Sequence, residues 1–244
     1  MVIALDIGNT NTRFGFYRKD RFEKIIQIPT RDGFKKNLPK EIFEKDIQGV
    51  AIASVVPELS RAYIKFFQKN FHLKPLVISG TIKSPVKFRY REIRNLGADR
   101  IANVTGGHLR FPRDLIIVSF GTATVCDVVL KEGNYLGGMI APGIETGLWA
   151  LELRTRLLKK IPLRITRKIL GLSTEECLRS GILNGTKFMI QGFIREIKKE
   201  KRRDFLCIST GGLGQLMRRL IPEITYYVPD LTLQGVIKLY YYNV

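Results

Sequence analysis

Short apolar runs punctuated by glycine turns set the rhythm of this 244-residue chain. Val2 to Leu5 and Arg13 to Tyr17 read as the arms of a hairpin, and Arg18-Lys-Asp-Arg21 marks the next reversal before Phe22 to Ile28. Asp46 to Val55 starts polar and becomes a buried strand. Pro57 then opens a helix across Glu58 to Asn70 that collects Leu59, Tyr63, Phe66 and Phe67 on one face. Leu76 to Ile78 is a short strand. Leu96 to Leu109 leaves a Gly-Ala-Asp-Arg turn and continues with Ile101, Val104 and His108 at helical spacing.

The second half repeats the scheme. Leu115 to Val118 is a fully apolar strand that hairpins back through Val125 to Leu130. Gly137-Gly138 and Pro142-Gly143 read as turns, and a helix follows with Leu148, Leu151 and Leu158. Thr174 to Phe193 is helical, with Ser173 as N-cap and Glu176 completing a capping box. The strand Phe205 to Ser209 ends in Thr210-Gly-Gly-Leu213, a further glycine turn before a short helix. No low-complexity linker separates the halves, and the seam falls near residue 110. Two α/β domains are expected, 1–110 and 111–244.

One local design occurs in both halves. Ala4 to Arg13 and Ile117 to Thr124 each end a strand in a small polar residue, place a glycine two positions on, and continue with hydroxyl-bearing residues. Gly8 and Gly121 let a backbone come close to a phosphate, while nearby N–H groups and threonine hydroxyls offer donors. Asp6 stands at a strand end, where a carboxylate can hold a hydrated Mg²⁺. A single Asp-x-Gly reads equally well as a plain β-turn; two copies suggest a duplicated nucleotide clamp.

Composition narrows the class. Hydrophobic residues make up 45% of the chain, enough for a buried core, and no apolar run reaches membrane-span length. The N-terminus lacks a signal-peptide pattern, so a cytoplasmic protein with no membrane partner is expected. Cys126, Cys177 and Cys207 are far apart, form no zinc pattern, and read as small buried hydrophobes. His72 and His108 are too dispersed for a metal pair. A formal charge of +19, from 41 Lys plus Arg against 22 Asp plus Glu, would attract polyanions. The basic stretches Arg154 to Lys168 and Lys198 to Arg203 carry no nucleic-acid motif, however, and solvated helix faces account for them.

Strand, glycine turn, strand and helix, occurring twice, resembles the actin and sugar-kinase superfamily: two duplicated actin-like, ribonuclease H-like α/β domains with a nucleotide cleft between them. Within it, the ordered set Asp6-x-Gly-Asn-Thr10, Ala53-Ser-Val-Val-Pro57, Gly97-Ala-Asp-Arg-Ile-Ala-Asn103, Gly121-Thr-Ala-Thr124, Gly137-Gly-x-Ile-x-Pro-Gly143 and Thr210-Gly-Gly212 resembles the type III pantothenate kinase family. The resemblance implies ATP-dependent phosphorylation of pantothenate to 4′-phosphopantothenate, the entry to coenzyme A. Asp99 would be the catalytic base toward the pantothenate hydroxyl, against the plainer reading of a helix cap beside Arg100. Asp6, Ile7, Gly8, Asn9, Thr10, Asn11, Thr12 and Arg13 would form the first phosphate turn, with Thr122, Gly211 and Gly212 also at the ATP. Gly97, Ala98 and Arg100 would line the pantothenate site, Arg100 gripping its carboxylate. Tyr90 matches an aromatic position flanking that pocket, or is an ordinary half-buried aromatic. Thr174 resembles a threonine reaching the substrate across a homodimer interface, or is an ordinary helix-start residue.

One position departs from the family pattern. Where the family's second turn starts with an aspartate associated with a monovalent cation, K⁺ or NH₄⁺, this chain has Ser119. Ser119 and backbone carbonyls could hold the cation, the site could be dispensable, or Asp127, eight residues on, could substitute; positive charge around the nucleotide could partly replace the ion. Two rival functions stand beside the kinase. One is a non-catalytic relative acting as a nucleic-acid-associated transcriptional activator, which the retention of Asp6, Asp99, Arg100 and Thr122 argues against. The other is a phosphatase or sugar kinase using the same clamp.

Overall fold

The computed structural model describes residues 1–32, 34, 38–159, 161–166 and 168–244. Lys160 and Arg167 of the basic stretch Arg154 to Lys168 therefore lie outside the described residues. In chain order come β1 (Val2–Ile7), β2 (Asn11–Arg18), β3 (Arg21–Pro29), a short α1 (Glu41–Glu44), β4 (Gly49–Ser54), α2 (Pro57–Phe71), β5 (Leu76–Val77), β6 (Lys87–Phe88) and α3 (Ala98–Arg110). There follow β7 (Leu115–Phe120), β8 (Ala123–Val129), β9 (Asn134–Pro142), α4 (Ile144–Arg154), α5 (Thr174–Lys201), β10 (Leu206–Thr210), α6 (Gly214–Leu220), β11 (Ile224–Tyr227) and α7 (Leu231–Asn243). Two compact units result. The first is Met1–Phe111 with Glu132–Tyr135 and Asp230–Val244; the second is Pro112–Lys131 with Leu136–Pro229. Among the described residues no helix is long and apolar enough to cross a membrane.

In the first unit the sheet runs β3-β2-β1-β4-β5, with β1 antiparallel to β2 and parallel to β4. Lys19 and Asp20, at φ 50° and 59°, form the tight turn between β2 and β3, because two left-handed residues match the twist of the flanking strands. The strands' two faces differ in kind. Ile3, Leu5 and Ile7 of β1 point into a core with Phe14, Phe16, Val50, Ile52, Tyr63 and Phe67, which α2 covers. The opposite face carries small residues: Ala4 beside Gly15 and Ala51, with Gly49 and Ala53 in the same row. Helix α7 lies on this row. A methyl group on Gly49 would sit 1.9 Å from the Tyr240 hydroxyl, so the row must stay small. Asp6 ends the row.

Helix α3 packs on α7. Their backbones nearly touch: a Cβ on Gly235 would fall 1.8 Å from the Ala102 carbonyl oxygen, and one on Gly106 would fall 2.9 Å from that of Leu231. The buried Thr232 hydroxyl donates to Asn103 Oδ1 at 2.8 Å across this contact. Also in this unit, β6 pairs in parallel with the first two residues of β9, Phe88 opposite Tyr135.

The second unit has the strand order β11-β10-β7-β8-β9. Ile116, Val118 and Phe120 of β7 alternate inward with Cys126 and Val128 of β8. Leu183, Ile190 and Ile194 of α5 and Met217 and Leu220 of α6 complete that core. Helix α5 starts at its predicted N-cap: Ser173 Oγ accepts the Glu176 N–H at 3.2 Å.

Several expectations need correction. Gly137 and Gly138 lie inside β9, not in a turn, and Gly137 has φ +111° with open space where a Cβ would lie. Leu158 lies beyond α4, which stops at Arg154. Helix α5 runs past Phe193 to Lys201, so the first part of the basic run is its last turn. Cys177 is exposed, while Cys126 and Cys207 are buried as expected.

Candidate functional site

The turn joining β1 to β2 is built before any ligand arrives. The Gly8 N–H donates to the Asn11 carbonyl at 3.0 Å, so this amide serves the turn itself. Thr30, just past β3, braces it from outside. Its hydroxyl donates to the Gly8 carbonyl at 2.7 Å, its N–H reaches the Thr10 carbonyl at 2.9 Å, and its Oγ1 lies 3.0 Å from that of Thr12. Thr12 is 1% exposed and Ile7 sits in the core, so the side chains of these two expected nucleotide contacts are structural. Asn9, Thr10 and Asn11 are exposed at the tip. Thr30 escaped the sequence reading because its partners lie some twenty residues away.

Asp6 and Arg13 stand directly opposite in the β1–β2 ladder. Burial pushes the Asp6 carboxyl up to about 7; Arg13 pulls it down, and the negative charge of Asp99 pushes it further up. Asp99, second residue of α3, is half-buried, and burial raises its carboxyl above the usual carboxylate range. Its Oδ1 accepts the Arg100 N–H at 2.9 Å, but the N-cap of the helix is Gly97, so Asp99 lies in the first turn and is not the cap. Gly97 makes this conformation possible, since a Cβ there would fall 2.5 Å from Asp99 Oδ1. Ala98 is buried beside it. The first turn and the expected base thus share one electrostatic neighbourhood, in which the charge of Asp99 presses the Asp6 carboxyl toward protonation.

Arg100 is 7% exposed, and its Nη2 donates to the Tyr135 hydroxyl at 2.7 Å. Tyr135, itself 5% exposed, stacks obliquely against Phe88 (centroids 5.3 Å apart) and Tyr90 (6.3 Å). Tyr90 keeps an exposed side at 39%. The structure therefore links Tyr90 to Arg100 through Tyr135, a residue the sequence reading did not single out.

In the second unit the predicted residues gather at the ends of β7 and β10. Ser119 is half-buried and pairs with Thr210, which precedes the Gly211-Gly212 turn. Gly211 has φ +85°, and a Cβ there would fall 2.5 Å from the Phe120 carbonyl, so only glycine fits. Gly212 is exposed with open space around it. Thr122 is exposed; its carbonyl accepts the Gly143 N–H at 3.0 Å and the Thr146 hydroxyl at 2.6 Å, tying the turn to the start of α4. Asp127 is 2% exposed, stands opposite Ile117 two pairs back from Ser119, and has interactions of its own. Among the described residues no three His, Cys, Asp or Glu side chains converge as a metal cluster. Thr174 is exposed as the first residue of α5. His108, on α3, has its pKa lowered by burial.

The fold is shared with solved structures of low sequence identity. A Campylobacter jejuni protein assigned as a Baf family transcriptional activator is 20% identical with a TM-score of 0.66, covering 99% of this chain and 98% of its own. One from Sinorhizobium meliloti, assigned as a 2-dehydro-3-deoxygalactonokinase, is 10% identical with a TM-score of 0.64 over 98% and 96%. A third from Listeria monocytogenes, assigned as an N-acetylmannosamine kinase, is 10% identical with a TM-score of 0.55 over 99% and 98%. The mixed α/β architecture is that of the actin-like sugar kinases, as the resemblance implied. The family model for type III pantothenate kinase matches residues 2–196. The chain belongs to the type III pantothenate kinase family.

Proposed function

We infer that this protein transfers the γ-phosphoryl group of ATP to the primary hydroxyl of pantothenate, with Asp99 as the catalytic base. The observation that carries this reading is the family match over residues 2–196, which includes Asp6 at the first turn and Asp99 in the Gly97-Ala98-Asp99-Arg100 motif. As the pantothenate oxygen attacks the γ-phosphorus, its proton passes to the Asp99 carboxylate, and the bond from phosphorus to the bridging oxygen breaks to release ADP. The raised affinity of Asp99 for a proton suits it to that task. Arg100 holds the substrate carboxylate, and Tyr90 walls the pocket.

The ATP contacts are assigned to the first turn, Asp6 to Arg13, and to Thr122, Gly211 and Gly212. A buried carboxyl whose proton affinity is raised suits a cation brought in with the phosphates, and Asp6 would hold Mg²⁺ through water. When bound, Mg²⁺ supplies positive charge against the phosphates. Ser119 brings no charge to the second turn, so the donors there do not suit a tightly held K⁺ or NH₄⁺. The working unit is taken to be a homodimer, with Thr174 reaching the partner's substrate; the exposed Trp149, Leu157, Leu170 and Leu172 of the second unit support self-association.

Asp99→Asn tests the mechanism. Turnover is expected to fall by about 100- to 10,000-fold with nucleotide binding nearly intact; an unchanged rate removes Asp99 from the reaction. A second reading, a nucleic-acid-associated transcriptional activator, is motivated by the +19 charge and by the likeness to the Campylobacter jejuni protein. Against it, Lys198 is ion-paired to Asp204 and Arg203 to Asp114, which blunts the basic run. Salt-steep DNA binding without pantothenate binding would favour the activator.

A further inference from the structure

Arg100 is a long side chain with many rotamers, yet it is nearly inaccessible to water, and its Nη2 is tied to a phenolic oxygen 2.7 Å away. A guanidinium carries five N–H donors in one rigid plane, so fixing a single N–H restricts the direction of the others. The Tyr135 ring cannot drift from that position. It is held in the ladder by Phe88, its partner in the parallel pair, and flanked by the rings of Phe88 and Tyr90. Tyr90 in turn turns its other side to solvent. A merely space-filling tyrosine would have its hydroxyl at the surface or on a backbone carbonyl; this one accepts from the arginine assigned to the substrate.

We propose that Tyr135 is a positioning residue that aims the Arg100 guanidinium at the substrate carboxylate, and so sets the preference for an acidic over a neutral pantoyl amide. The proposal rests on the reading of Arg100 given above. Tyr135 acts through Arg100, whose assigned partner is the substrate carboxylate, so its effect belongs in substrate affinity and not in the chemical step.

The test is a double-mutant cycle read by calorimetry and by steady-state kinetics, using pantothenate and its alcohol analogue pantothenol, which lacks the carboxylate. Tyr135→Phe keeps the ring and removes the acceptor. KM and Kd for pantothenate are expected to rise about tenfold, with kcat and ATP binding unchanged. Pantothenol binding should not move, and in an Arg100→Ala background Tyr135→Phe should add nothing. Unchanged pantothenate binding in Tyr135→Phe, or an equal loss for pantothenol, overturns the role of Tyr135. Unchanged pantothenate binding in Arg100→Ala overturns the reading beneath it, so the two failures are distinguishable. Should Tyr135→Phe not fold, Tyr135→Gln, whose carbonyl can accept the same bond, must bind pantothenate more tightly than Tyr135→Leu, or the proposal fails.

Discussion

Replacing Asp6 by Asn is expected to make the ligand-free protein more stable while destroying its activity. An aspartate normally favours folding when ionised, but here the sign is reversed. The carboxyl goes from an ordinary value of 3.8 to about 7, so the folded chain binds the proton more tightly than the unfolded one. The favourable contribution is complete below about pH 4 and is lost as pH rises through 7. Three pKa units at 1.36 kcal/mol each set a ceiling of about 4 kcal/mol between the protonated and ionised forms. Asp6 keeps some solvent contact, and water screening reduces the expected cost at pH 8 to about 1–3 kcal/mol. Asn carries no charge at any pH. Urea denaturation of wild type and Asp6→Asn, without Mg²⁺ or nucleotide, at intervals from pH 5 to pH 8, gives the comparison directly. Wild type should weaken across this range, and the variant should weaken less and be the more stable at pH 8. Adding Mg²⁺ and ATP should reverse the ranking, since a ligand stabilises only the form that binds it. Parallel pH profiles for the two proteins, or a variant less stable at pH 8, would refute the reasoning.

Two further outcomes follow from the two glycine turns. Exchanging K⁺ for Na⁺ in the assay should leave the phosphorylation rate unchanged, because Ser119 supplies no charge to a monovalent cation; strong K⁺ dependence would show that other groups build the site. Thr30→Val removes the hydroxyl that braces Gly8 and meets Thr12. It is expected to raise KM for ATP about five- to tenfold with little change in kcat, and an unmoved KM would mean that the turn holds its shape without the brace.

Much of the architecture was readable because period and punctuation agreed. The apolar runs of β1 and β2, Pro57 ahead of α2 and Ser173 as the N-cap of α5 each point to one structure, and each formed, although the Glu176 carboxylate accepts the Leu172 N–H where a capping box would use that of Ser173. Where local signals are ambiguous the reading strayed. A glycine pair marks a turn or a weak strand with equal force, and Gly137-Gly138 fell on the strand side. A charged run of Lys and Glu has good helix propensity, so α5 continued past the last apolar face to Lys201. The candidate site divides the same way. Asp6, Asp99 and Arg100 are visible as motif residues, but Thr30 and Tyr135 act on partners 22 and 35 positions away, and no local pattern reports such contacts.

Helix α7 shows why residues without chemistry still decide where the chemistry sits. Its buried positions, Leu231 to Leu233, Gly235 to Ile237 and Leu239, do not keep to one narrow stripe, since it packs against both the small-residue row of the sheet and α3. Glycine at 49, 106 and 235 removes the side chains that would hold these surfaces apart. Asp6 ends the row that α7 covers, and Asp99 heads the helix that α7 touches, so one helix at the far end of the sequence sets the separation of the two carboxyls. The charge of Asp99 thus acts on Asp6 from a position held by backbone contacts that cannot relax by a change of rotamer. A flexible support would let Asp99 swing into water and lose its raised proton affinity; a rigid one preserves that affinity, which the proposed role as base requires.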